Sequence, residues 1–271
     1  MSTTGRPDLA APDYTFDNNH PNAAERHHAL AGILDEFTVS RLGSLGELSG
    51  RRCLELGAGI GTIAGWLAGQ TGPTGWVLAT DINTRHLRRD RGYAVMSHDL
   101  NTDPIPEGPW DLIHARLVLA WLPQPDVILR RLADALAPGG TLAIEEWDLH
   151  PTGQVLAVPE PEAVTLFVAY QTIVEQILAT DGLDASWPWH VHAAMTTAGL
   201  ASDTVVHAGS WPGGSPGTLL HALNISHLRP KFVAGGMTDD QLDRLVKHLH
   251  DPRMVLRGLL TISTIGRRAA R

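Results

Sequence analysis

Apolar residues along the chain change their spacing several times, and each change marks an element. Residues 1–13 are polar, carry Pro and Ala and show no period, which reads as an unstructured lead. From Asn22 to Leu42, apolar residues at Ala23, Leu30, Ile33, Leu34, Phe37 and Leu42 fall near a 3.6 spacing and predict a helix. Short continuous apolar runs follow at Cys53–Leu56, Trp76–Thr80, Tyr93–Ser97, Trp110–His114 and Thr141–Glu146, and predict five strands. Between them lie helical stretches at Ile60–Gly69, Arg85–Arg89 and Pro125–Leu136, the last stopped by Pro138-Gly139-Gly140. Strands that alternate with helices and are apolar on both faces predict an α/β fold with a doubly wound parallel sheet.

Beyond residue 150 the pattern turns mostly helical. Val164, Phe167, Val168, Ile173, Val174 and Ile177 place a helix over Glu162–Leu178, and Trp187 opens another to about Ala198. Val205–His207 predicts a sixth strand, Pro216–Val233 a helix, and Val255–Ile265 a seventh strand. Thr238-Asp239-Asp240-Gln241 has the form of a capping box at the start of a last helix. No internal repeat is visible. The chain divides into a cover segment over 1–45, a core over 46–150, a lid insertion with strand six over 151–235, and a C-terminal helix and last strand over 236–271 that complete the core.

At 271 residues and 43% hydrophobic content, the chain is long enough for one large α/β domain with a smaller lid. A formal charge of −8 without a Lys/Arg-rich face argues against a nucleic-acid partner. Four arginines between Arg85 and Arg91 read as the solvated face of a short helix. No run approaches the ~20 apolar residues of a membrane span, and no basic-then-apolar leader opens the chain. The single cysteine, Cys53, reads as a reduced core residue. A cytoplasmic location, with no membrane partner, is the expectation.

The chemistry centres on Cys53-Leu54-Glu55-Leu56-Gly57-Ala58-Gly59-Ile60-Gly61-Thr62. An apolar strand ends beside an acidic residue, and glycines at alternate positions open a helix, as a nucleotide-binding corner requires. The next strand delivers Asp81, whose carboxylate can accept both hydroxyls of a ribose. A dinucleotide site wants G-x-G-x-x-G with pyrophosphate on the helix N-terminus; here the third glycine arrives one residue early. The alternatives are a nicotinamide site and a purely structural tight turn.

Glu55-x-Gly57-x-Gly59-x-Gly61 resembles the first motif of class I S-adenosylmethionine-dependent methyltransferases, and Asp81 resembles their second. Asp99-Leu100 after the third strand, Asp111-Leu112-Ile113-His114 on the fourth and the Pro138-Gly139-Gly140 stop match further family features in order, strongly over about residues 50–150. Tyr-x-Phe-Asp-Asn near the start and Ala-Thr-Asp-Ile after strand two are similar to bacterial secondary-metabolism methyltransferases. The resemblance implies a Rossmann-like seven-stranded sheet, its last strand antiparallel near the edge, with an N-terminal helical cover and a helical substrate lid. It implies S-adenosylmethionine as cofactor, released as S-adenosylhomocysteine. Glu55, Gly57, Ala58, Gly59 and Gly61 would form the corner, and Asp81 and Ile82 would meet the ribose. His98, Asp99 and Leu100 would meet the adenine, Ala115 and Arg116 the methionine end, and Tyr14 would fold over the cofactor.

The expected reaction is in-line transfer of a sulfonium methyl to a small-molecule acceptor, helped by a general base where the acceptor must lose a proton. Base candidates follow strands four and five, where an open sheet presents its crevice: His114, Glu145, Glu146, Asp148 and His150, with His190, His192, His221 and His227 later. His150 and His190 are placed first. Trp121, Trp147, Trp187, Trp189 and His227 are read as acceptor-binding, because flat aromatic walls suit a planar, indole- or phenol-like metabolite. Metal-dependent methylation needs an Asp/Asn cluster where only Asp148 offers itself, so no metal is expected. A homodimer, and a protein that binds the cofactor without transferring its methyl, stay open.

Overall fold

The computed structural model describes residues 15–16, 19–150 and 153–270. Helix α1 (Ala23–Gly43) precedes the first half of the sheet: β1 (Arg52–Leu56), α2 (Thr62–Thr71), β2 (Trp76–Asp81), β3 (Ala94–Ser97), β4 (Trp110–Arg116), α3 (Pro125–Asp134) and β5 (Leu136–Asp148). There follow β6 (Val155–Ala157), α4 (Glu162–Thr180), α5 (Trp187–Thr197), β7 (Ala201–His207), β8 (Ser210–Pro212) and α6 (Pro216–Ala234). The chain closes with α7 (Asp239–His250), β9 (Val255–Arg257) and β10 (Leu260–Arg267).

Seven strands form one sheet in the order β3-β2-β1-β4-β5-β10-β7. The first five are parallel, and β10 runs antiparallel between β5 and β7. Cys53, Leu54 and Leu56 of β1 are fully buried, as a central strand covered by helices on both faces requires. This is the Rossmann-like doubly wound sheet expected, with its crevice at the strand carboxyl ends near β1 and β4.

Three expectations are corrected. The single strand over Val255–Ile265 is two: β9 joins β6 and β8 in a separate three-stranded sheet, and only β10 enters the large one. The break falls at Gly258, where a Cβ would come within 2.8 Å of the Trp211 indole, so the chain bends where no side chain fits. The helix over Arg85–Arg89 is one 3₁₀ turn, Thr84–His86, started by the Asn83 side chain accepting from Arg85 N–H. Pro138-Gly139-Gly140 lies inside β5, because its backbone passes so close to Trp110 that a Cβ on Gly140 would sit 2.7 Å from the Trp110 carbonyl.

The helices α1, α4, α6 and α7 form a cover above the sheet's carboxyl ends, with α1 packed on α6, and α4 and α6 on α7. Phe167, Tyr170, Leu220, Phe232, Leu242 and Leu245 fill its core. Helix α6 kinks at Leu228, two residues before Pro230, which has no N–H for the ladder and crowds the preceding turn. Helix α4, whose most apolar window has mean hydropathy 1.3, is long and apolar enough by composition to cross a membrane. Here Leu166, Phe167, Tyr170 and Ile173 turn inward to the cover's core. The capping box forms as expected: Thr238 accepts from Gln241 N–H and Gln241 from Thr238 N–H.

Candidate functional site

At the end of β1 the chain turns through Gly57 at φ +62, and α2 begins after Gly61 at φ +76. A Cβ on Gly57 would lie 2.4 Å from Val118 Cγ2, so the corner needs glycine both for its backbone and for its close approach to the β4 loop. Asp81, at the tip of β2, closes the corner: Oδ2 accepts from Gly59 N–H and Oδ1 from Asn83 N–H, both at 2.9 Å. Burial raises the Asp81 carboxyl against these two hydrogen bonds, and each oxygen keeps a lone pair for a hydroxyl. A cavity of 350 Å³ opens on this corner and on His98, Asp99, Leu100 and Arg116. A glycine corner with no room for a Cβ at Gly57, and the Asp81 carboxylate beside it, fits a ribose.

Beneath the corner runs a buried charged network. His114 on β4 places Nδ1 2.7 Å from Glu55 Oε2, and its Nε2 lies 3.6 Å from Glu145 Oε2. Thr38 of α1 donates to Glu145, and Arg116 donates to Thr38 at 2.9 Å and to Asp35 at 2.8 Å. Burial alone would favour the neutral imidazole, but the Glu55 and Glu145 carboxylates outweigh it and hold the His114 pKa up at about 9. Glu145, which burial would raise, is held below its ordinary value by the nearby His114 ring and the hydrogen bond from Thr38. The network therefore binds α1 to the central strands.

The far half of the cavity is mostly apolar, with a few polar side chains set into it. The loop after β4, held by Leu117 at φ +58, places Val118 and Trp121 on it, and the end of β5 adds Glu146 and Trp147. Glu146 Oε1 accepts from Leu119 N–H at 2.8 Å and Ala120 N–H at 3.3 Å, yet its complete burial pushes its pKa up to about 8. Tyr170, Val174 and Leu178 of α4 and Leu220, His221 and Asn224 of α6 close the far wall.

The structure brings together on the cavity Gly57, Ala58, Gly59, Asp81, Ile82, His98, Asp99, Leu100, Arg116, Trp121 and Trp147. Others lie elsewhere. Glu55 gives its carboxylate to His114 rather than to the cavity, and Ala115 is enclosed between β1 and β5. Gly61 faces Tyr93, not the cavity: its Cβ would meet Tyr93 Oη at 2.3 Å. His150 is exposed with Nδ1 2.5 Å from Asp148 Oδ1, and His190 is exposed on α5. Trp187 is buried under the sheet, Trp189 is 51% exposed, and His227 stacks on His20 at 4.0 Å. Tyr14 lies outside the described residues. Arg26, Tyr170, Gln171 and Asn224, which do line the cavity, were not read from the sequence, because each sits within an ordinary helical pattern.

Two outcomes follow from these placements. Gly61→Ala is expected to cost about 2–3 kcal/mol, from left-handed strain plus overpacking against Tyr93. Urea unfolding reads it, and an unchanged midpoint would show that Tyr93 simply swings aside. His150→Ala and His190→Ala are each expected to leave kcat unchanged across the pH range; a loss that tracks one titration in either variant would return that residue to the reaction.

Among the described residues no group of three or more His, Cys, Asp or Glu could hold a metal ion. A methyltransferase-domain family model matches residues 23–192. The chain is 36% identical over 126 residues to methyltransferase str2 of Strobilurus tenacellus, covering 45% of this chain and 43% of that one. It is 30% identical over 122 residues to the ubiquinone/menaquinone biosynthesis C-methyltransferase UbiE of Pseudomonas putida, covering 41% and 47%. The chain thus spans less than half the length of these curated relatives. In fold it is similar to Haemonchus contortus phosphoethanolamine N-methyltransferase 2, solved with S-adenosylhomocysteine, at a TM-score of 0.57 and 15% identity over 96% of this chain and 61% of that one. With the family match spanning the glycine corner, Asp81 and the cavity's near wall, the chain belongs to the S-adenosylmethionine-dependent methyltransferase family.

Proposed function

We propose that the chain transfers a methyl group from S-adenosylmethionine to a small, flat, mostly apolar acceptor, aromatic or heterocyclic. The segment over 151–235 acts as the lid that encloses this acceptor. The observation that carries the reading is one continuous cavity, lined at one end by Gly57, Gly59 and Asp81 and at the other by Trp121, Trp147, Tyr170 and Leu220. The relative named for ubiquinone/menaquinone biosynthesis supports a ring-bearing acceptor.

When bound, the cofactor supplies a sulfonium methyl. The chain's own residues then have two tasks. The corner and Asp81 fix the donor's position, and the aromatic walls fix the acceptor's, so that an in-line approach is built in before reaction. The cover formed by α1, α4 and α6 excludes water from the reacting centre.

Labelled-methyl transfer to a panel of indoles, phenols, hydroxyquinolines, amines, bulk RNA and protein tests this. Label in a planar small molecule is the expected result. Label confined to RNA or protein, or cofactor binding with transfer to nothing, would overturn it. With a working acceptor, Trp121→Ala is expected to raise its KM roughly tenfold while the affinity for S-adenosylhomocysteine stays within about twofold. Equal losses in both would place Trp121 in the cofactor half.

A further inference from the structure

His221 of α6 lines the cavity at 4% exposure. Its Nδ1 lies 3.1 Å from Tyr170 Oη, while its Nε2 is buried with no hydrogen-bond partner among the described residues. An unsatisfied buried nitrogen is costly, so one left beside a ligand-sized cavity calls for a ligand.

Which ring nitrogen carries the proton follows from the fixed end of a chain of hydrogen bonds. Arg26 can only donate, and its Nε lies 3.0 Å from Asn224 Oδ1. That orients the Asn224 amide, leaving its NH₂ to donate toward the Tyr170 hydroxyl, whose pKa burial raises and Asn224 lowers. Tyr170 Oη thus accepts from Asn224, and its single proton goes to His221 Nδ1. With Nδ1 accepting, the neutral ring keeps its own proton on Nε2. Phe167, Tyr170 and Trp211 surround the imidazole, and burial pushes its pKa down to about 4, so it takes no second proton at neutral pH.

We propose that His221 presents a fixed Nε2–H donor to an oxygen of the methyl acceptor, and that Arg26, Asn224 and Tyr170 are positioning residues that hold this tautomer. The inference rests on the methyl-acceptor reading above. It makes His221 a binding donor rather than a general base, since the one lone pair in the ring plane is already engaged by Tyr170. The acceptor class is narrowed accordingly: a flat apolar body bearing a carbonyl, phenolic or carboxylate oxygen.

The full chain with isotope-labelled histidine, studied by long-range proton–nitrogen correlation, reads the tautomer directly. His221 is expected to stay neutral and protonated on Nε2 from about pH 6 to 9, and Tyr170→Phe to give a mixture of tautomers. In the presence of S-adenosylhomocysteine, β-naphthol is expected to bind about tenfold more tightly than β-methylnaphthalene and to shift the His221 Nε2 signal. His221→Phe should abolish that preference while leaving affinity for S-adenosylhomocysteine unchanged. An Nδ1-protonated ring, a preference that survives His221→Phe, or failure of both naphthalenes to bind would overturn the proposal. Because the tautomer is read without turnover, loss of transfer to every acceptor would instead count against the transferase reading.

Discussion

Replacing Glu55 with alanine is expected to remove about 3–5 kcal/mol of folding stability, the cost of leaving a buried charge partner alone. Glu55 is 4% exposed and His114 fully buried, so water cannot take over the lost contact at 2.7 Å. Urea denaturation at neutral pH measures this, and a loss below about 1 kcal/mol would show that His114 is content as a neutral ring. The pH dependence gives an independent reading. The folded chain holds the His114 proton up to about 9, against an ordinary 6.5, so this contribution is complete below about 6.5 and fades as pH rises through 9. Glu146, raised from 4.5 to about 8, acts with the same sign, its contribution fading between those values. Stability should therefore fall from slightly acid to alkaline pH. Glu55→Ala should flatten the upper part of that fall and Glu146→Gln the lower part.

Asp81→Ala is expected to weaken S-adenosylhomocysteine binding about 5- to 150-fold, the equivalent of about 1–3 kcal/mol. Two losses combine: ribose hydroxyls go unpaired, and the Gly59 and Asn83 N–H groups lose the carboxylate that fixes the corner. Asp81→Asn keeps one oxygen and should fall between the two. Calorimetry measures both, with unfolding midpoints as control. Unchanged affinity in the alanine variant would remove Asp81 from the site.

The near half of the site was legible because its chemistry is carried by the local chain. Gly57 and Gly59 are needed where the backbone itself turns and approaches a ligand, and Asp81 sits at a strand tip whose place follows from counting βα units. The same logic misassigned Gly61 and Glu55. Both stand in the motif, but Gly61 makes room for Tyr93, more than thirty residues on, and Glu55 faces His114 on a neighbouring strand.

The far half was scarcely legible. Tyr170, His221 and Asn224 each lie in a helix whose pattern records only that one face is buried, not what it is buried against. Trp187 and Trp189 looked as suitable for a pocket as Trp121 and Trp147, yet α5 packs beneath the sheet and carries them away from the cavity. His150 had the right place after β5 but points out to solvent.

By itself, then, the sequence determined the parallel sheet and its glycine corner, because period, turn chemistry and strand-end residues act over a few positions along the chain, while the class of cofactor came from the resemblance of its motifs to a known family. Only the tertiary structure decided which cover residues meet the acceptor, which carboxylates are matched to His114, and that residues 255–267 serve two sheets. Those outcomes depend on how helices pack across the sheet and on the burial that packing creates, and neither leaves a periodic mark in the chain.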